Sequence, residues 1–108
     1  MTKHDVSKSE GPRTMLVLNV APALAEDLID YLLRIDGVDG FTSYHVHGHG
    51  EHGGLTVAEQ VSGRRKREQF EILIAEPLIP TVIAGLAENV GRDIVYWEQN
   101  IAKLGRIT

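Results

Sequence analysis

MLVLNVAPALAEDLIDYLLRI, residues 15–35, reads as a strand that runs almost directly into a helix. Met15 to Val20 is a dense apolar run. It is too short for a buried helix and rich in strand formers, which predicts a central strand. Pro22 follows where a first helical turn tolerates it, because the missing N–H has no intrahelical partner there. Leu24, Leu28, Tyr31, Leu32 and Ile35 recur at helical spacing and predict a buried stripe. Glu26 and Asp27 fall early and Arg34 falls late, as the helix dipole favours. Gly37 is the predicted stop.

The chain continues in the same grammar. GFTSYHVH, from Gly40, alternates with period two. Phe41, Ser43, His45 and His47 are expected on one face, and Thr42, Tyr44 and Val46 on the other. QFEILIA, residues 69–75, predicts a third strand with Phe70, Ile72 and Ile74 on one face. Pro77 and Pro80 open a second helix, with Ile79, Ile83, Leu86 and Val90 as its apolar stripe and Gly91 as its end. DIVYWEQ, Asp93 to Gln99, predicts a fourth strand. Residues 1–14 predict a flexible polar tail, and 15–108 one domain. A long excursion is expected at about residues 48–66, since GHGEHGG is too rich in glycine to order by itself. Strand, helix, strand, strand, helix, strand is the order of a ferredoxin-like βαββαβ sandwich, an α+β fold. Two helices cover one face of such a sheet. Leu73, Val95 and Trp97 fall where the other face needs a cover, and sister subunits in a small closed ring are the simplest one.

Composition narrows the classes. With 108 residues, 43% hydrophobic, the chain suits one small globular domain rather than a disordered polymer. The formal charge of −4 argues against a nucleic-acid coat. Cysteine is absent, which excludes disulfides, thiol catalysis and thiolate metal sites. No apolar run approaches the roughly 20 residues of a membrane helix. Residues 1–14 lack a secretory pattern, so a cytoplasmic setting is expected and not a membrane-embedded one. No catalytic constellation can be read from spacing, and an enzyme is not expected.

Two clusters carry possible chemistry. Four of the five histidines lie in HVHGHGEH: His45, His47, His49 and His52. Alternation sets His45 and His47 roughly 6.5–7 Å apart on one strand face. Two imidazoles at that separation can converge on one ion at about 2.0–2.1 Å from each nitrogen. Glycine-rich backbone could bring in His49 and His52, with Glu51 as a possible oxygen ligand. Imidazole ligands suit nickel, cobalt, zinc or copper. The competing readings are a solvated loop and a pH-sensitive surface. The second cluster is SGRRKRE, where Arg64, Arg65 and Arg67 could hold an anion or nucleotide, or simply form a solvated strand entry. Extension of the chain would set Arg65 and Arg67 on one side.

LNVAPALAEDLIDYLL, GVDGFTSYHVHGHG, LTVAEQVSGRRKR followed by QFEILI, and DIVYWEQNIAKLGRI together resemble a small PII-like family. Its genes often lie beside heavy-metal efflux pumps of the resistance-nodulation-division class. The resemblance spans Leu16 to Ile107. It implies a homotrimer of ferredoxin-like domains in which a long loop, here about Gly48 to Arg67, reads out ligand state and docks on a target. The target implied is an inner-membrane heavy-metal efflux pump. With the histidines at the base of that loop, the expected function is a metal-responsive signalling protein whose loop orders on metal binding. An adenine-nucleotide-binding regulator using the basic cluster, or a small metal carrier, are the alternatives. No tyrosine lies between Gly48 and Arg67, so the nucleotidylation of nitrogen-regulatory PII proteins is not expected.

Overall fold

Four segments with strand-forming, alternating side chains pair into one sheet, and the helical segments between them bury one side of it. The computed structural model describes residues 13–50 and 65–108. The strands are β1 (Arg13–Val20), β2 (Thr42–Gly48), β3 (Arg65–Ala75) and β4 (Val95–Asn100). Their order across the sheet is β2-β3-β1-β4, and every pairing is antiparallel. The most continuously apolar strand, β1, lies inside the sheet, as its composition requires. A 3-10 turn at Pro22–Leu24 leads into α1 (Ala25–Arg34). A matching turn at Glu76–Leu78 leads into α2 (Ile79–Ala84), followed by the single turn α3 (Leu86–Asn89). This is the ferredoxin-like arrangement expected. The histidine-rich and basic segments at residues 51–64, including Glu51, His52 and Arg64, lie outside the described residues, as does the polar segment 1–12.

Register fixes the two faces. Leu16, Leu18 and Val20 of β1 pack with Phe70, Ile72 and Ile74 of β3 against Leu28, Tyr31 and Leu32 of α1 and Ile79, Val82 and Leu86 of the second helical segment. Each such side chain contributes about 1.5–3 kcal/mol of burial. The Phe41 and Phe70 rings meet at 6.0 Å between centroids. α1 ends at its cap residue Ile35, which is extended, and Gly37 takes φ 98° in the turn that follows, where the Val38 N–H donates to the Ile35 carbonyl and glycine carries no Cβ penalty.

The structure departs from the sequence reading in four places, one being that β4 begins at Val95 rather than Asp93. β3 begins at Arg65, four residues before the expected start, so the end of the basic cluster is sheet. The first strand begins at Arg13 rather than Met15. The second helix is broken at Gly85, and Val82 takes the buried position expected of Ile83, which stays partly exposed. Tyr31 explains the break. Its hydroxyl donates to the Val82 carbonyl oxygen at 2.7 Å. A Cβ on Gly85 would collide with that hydroxyl and stand 3.1 Å from two ring carbons. A helix can pass over a buried tyrosine only where it has no side chain and can give up a carbonyl.

Gly85→Ala should therefore destabilise the fold by about 1–3 kcal/mol through overpacking, and Tyr31→Phe by about 1 kcal/mol through the lost hydrogen bond. Urea unfolding measures both. Burial raises the Tyr31 phenol above 10.0, with a backbone hydrogen bond at Gly85 opposing it. The folded state thus holds this proton more tightly than the unfolded chain. Its contribution is full below about pH 10 and declines as pH rises through the raised value. The alkaline decline should be shallower in Tyr31→Phe.

Candidate functional site

The second face of the sheet carries the residues out of register with the core. Cross-strand pairing sets Met15, Val17 and Asn19 of β1 beside Leu73, Glu71 and Gln69 of β3, and beside Gln99, Trp97 and Val95 of β4. Thr42, Tyr44 and Val46 of β2 share the face, opposite Glu71, Gln69 and Arg67. Among the described residues no helix covers it. Val17 is nonetheless fully buried between its neighbours, whereas Trp97 is 39% and Val95 52% exposed.

A chain of hydrogen bonds crosses this face. Tyr44 Oη donates to Glu71 Oε2 at 2.6 Å and accepts from Gln69 Nε2 at 3.0 Å. Asn19 Nδ2 donates to Gln69 Oε1 at 3.2 Å. Arg67 Nε donates to Asn19 Oδ1 at 2.6 Å. Its Nη2 donates to the Asn19 carbonyl at 2.8 Å and the Asp93 carbonyl at 2.7 Å. Its Nη1 reaches Asp93 Oδ2 at 3.3 Å, and Arg65 pairs with the same carboxylate oxygen. The Glu71 carboxylate, accepting from Tyr44, is the main reason that phenol is raised above 10.0.

Arg67 is the anchor of this network. It is 4% exposed, and its planar fork joins β3 to the end of β1 and to the turn before β4. Asp93 meets it in a left-handed conformation, φ 60°, in which both its carbonyl and its carboxylate reach the guanidinium. Asp is one of the few side chains that adopts that region readily. Around these residues lies a shallow cleft lined by Asn19, Gly48, His49, Arg65, Arg67, Asp93 and Val95.

These positions correct the expected metal site. Among the described residues, no group of three histidine, cysteine, aspartate or glutamate side chains is close enough to hold a metal ion. His45 and His47 do share a face, opposite Glu68 and Lys66, but it is the helical side of the sheet. There His45 Nδ1 lies 3.5 Å from Glu68 Oε1, with the imidazole largely exposed. β2 ends at Gly48, and His49 leaves the alternation to line the cleft on the other face. His49 thus does not complete a ligand set with His45 and His47, and His52 lies outside the described residues. The nickel, cobalt, zinc or copper cofactor, the metal-sensing function and the metal-carrier alternative fall with that geometry. The adenine-nucleotide alternative falls too. Arg65 and Arg67 do share one side, but Arg67 is buried and engaged with Asn19 and Asp93. The cleft beside them holds about 130 Å³, below the roughly 300 Å³ of ordinary ligand pockets.

The alternation that placed Arg65 and Arg67 together could also have shown Asn19, Gln69, Glu71 and Tyr44 on the same face. Asp93, expected as the first residue of the fourth strand, lies instead in the turn before it, where alternation could not reveal its contact with the arginines. Arg67→Lys keeps the charge but replaces a rigid fork with a point charge. It should lower stability by about 2 kcal/mol, read by urea unfolding. Stability equal to wild type would show that the fork geometry is dispensable.

Comparison with known proteins agrees with the topology. A crystal structure of a DUF3240 family protein from Shewanella baltica superposes with a TM-score of 0.74 at 20% identity, covering 91% of this chain and 99% of that one. A putative PII-like signaling protein from Thermus thermophilus superposes with a TM-score of 0.60 at 17% identity, covering 84% of this chain and 88% of that one. At these identities the likeness is one of fold. No curated protein matches the chain. The family model described as "Protein of unknown function (DUF3240)" matches residues 10–108, and the chain belongs to that family.

Proposed function

We propose that the chain is a non-catalytic signalling subunit that works through protein–protein contact and assembles with copies of itself through the uncovered face of its sheet. One observation carries the reading. A sheet with helices on one side presents Trp97 and Val95 on the other, next to Met15, Leu73 and the buried Val17. Large apolar side chains grouped on one face mark an interaction surface rather than a solvated one. A second copy suits the face because the polar network beside it is already satisfied within the chain. Such a face can be desolvated without orphaning donors or acceptors.

The PII-like architecture shared with the Thermus protein supports three copies in a closed ring. The signalling role rests on the same likeness. The proposal sets the trimer in the cytoplasm. Its target is another protein, met through surface contact. Among the described residues, no helix is long and apolar enough to cross a membrane.

Light scattering on the purified chain should give the mass of three copies at micromolar concentration. Trp97→Asp should give the mass of one, with the circular dichroism of a folded domain. A monomeric wild type, or a trimeric Trp97→Asp, would contradict the assignment of this face.

A further inference from the structure

The helical side of β4 carries a second surface that the uncovered face does not use. A groove of about 300 Å³ runs between the start of α2 and β4. Its floor and walls are Ile79, Pro80, Ile83 and Tyr96, and Glu76 and Glu98 border it. Both carboxylates are exposed, and so is the Tyr96 ring. An apolar groove flanked by two negative charges fits an apolar segment that also carries two positive ones.

The chain supplies such a segment. After β4 it continues as Ile101-Ala-Lys-Leu-Gly-Arg-Ile-Thr108. Leu104 is half exposed and Ile107 fully exposed, so the arm leaves apolar surface in water. Lys103 and Arg106 immediately precede them, which gives a cation followed by an aliphatic side chain twice at a spacing of three. In an extended polyproline-type conformation, residues three apart lie on the same side, roughly 9 Å apart at about 3.1 Å per residue. Leu104 and Ile107 then form one apolar edge, with Lys103 and Arg106 along an adjacent edge. The strand wall of the groove is β4 itself, and the arm leaves from the end of that strand, past Asn100. Its exposed side chains lie outside the chain's own groove.

We infer that the C-terminal arm of one copy docks in the groove between α2 and β4 of a second copy, with Leu104 and Ile107 against Ile79, Ile83 and Tyr96, and Lys103 and Arg106 against Glu76 and Glu98. The contact lies on the opposite side of the sheet from the face assigned above and does not depend on it. It is ion-paired at its rim, so it weakens as salt rises.

The absence of native cysteine makes the test direct. Single-cysteine variants of the full chain, each shown folded by circular dichroism, are mixed in pairs under mild oxidation. Leu104→Cys mixed with Pro80→Cys should form an interchain disulfide about tenfold faster than Leu104→Cys mixed with Leu33→Cys, the exposed control on α1. Adding Lys103→Glu and Arg106→Glu to the arm should bring the rate down to that of the control. Adding Glu76→Lys and Glu98→Lys to the groove copy should restore it. Equal rates with Pro80→Cys and Leu33→Cys would overturn the inference, as would indifference to charge reversal. A faster disulfide with Val95→Cys would place the arm on the uncovered face instead. A disulfide within one chain in the Leu104→Cys, Pro80→Cys double variant would show that the arm folds back on its own body.

Discussion

A four-stranded sheet has two faces, and the described residues cover one of them with helices. The buried apolar side chains of α1, α2 and α3 are engaged with the Leu16, Leu18, Phe70, Ile72 and Ile74 side of the sheet. The strands still alternate, so the side chains between those positions must point somewhere. Val17, Val95, Trp97, Met15 and Leu73 point the other way. A domain of 108 residues has little surface to bury internally, and leaving such a face in water forgoes much of what remains. The uncovered face is therefore the constraint to which the proposed assembly answers.

The polar half of that face has a structural role. Arg67 is nearly inaccessible and bonds to Asn19 and Asp93, so a buried charge is matched by acceptors from two neighbouring segments. Removing a partner from such an arrangement costs more than the arrangement contributes net. The network orders the end of β1, the start of β3 and the turn into β4, which are the elements that set Val95 and Trp97 in place. Its donors and acceptors are engaged with one another across β2, β3, β1 and the turn before β4, from Tyr44 and Glu71 to Asp93. Arg65 and Arg67, read from sequence as part of a ligand site, thus help tie β3 to β1 and to the turn before β4.

Periodicity made the architecture legible. The strand positions, the α1 stripe, the shared face of His45 and His47 and the uncovered positions Leu73, Val95 and Trp97 all follow from spacings of two or of three and four. What spacing could not show is where two distant segments touch. The break at Gly85 depends on Tyr31, more than fifty residues away in the chain, and no local pattern announces it. The turn at Asp93 is defined by arginines on another strand. The histidine run misled for a related reason. Four imidazoles near in sequence suggest one site, but β2 ends at Gly48, and beyond it His49 lines a cleft with Arg65 and Asp93 instead of completing a set with His45 and His47. Density of ligand-type residues along a chain is not convergence in space.

Trp97 is the one tryptophan of the chain and sits on the uncovered face, so intrinsic fluorescence reports directly on whether that face is covered in solution. The decisive measurement is the Trp97 emission maximum and its quenching by acrylamide across a dilution series of the full chain. Self-association through this face predicts blue-shifted, poorly quenched emission at high concentration that moves to the red, and becomes readily quenched, as the copies separate. Red-shifted, freely quenched emission that is the same at every concentration would mean that the face remains in water and that the proposed assembly does not form through it.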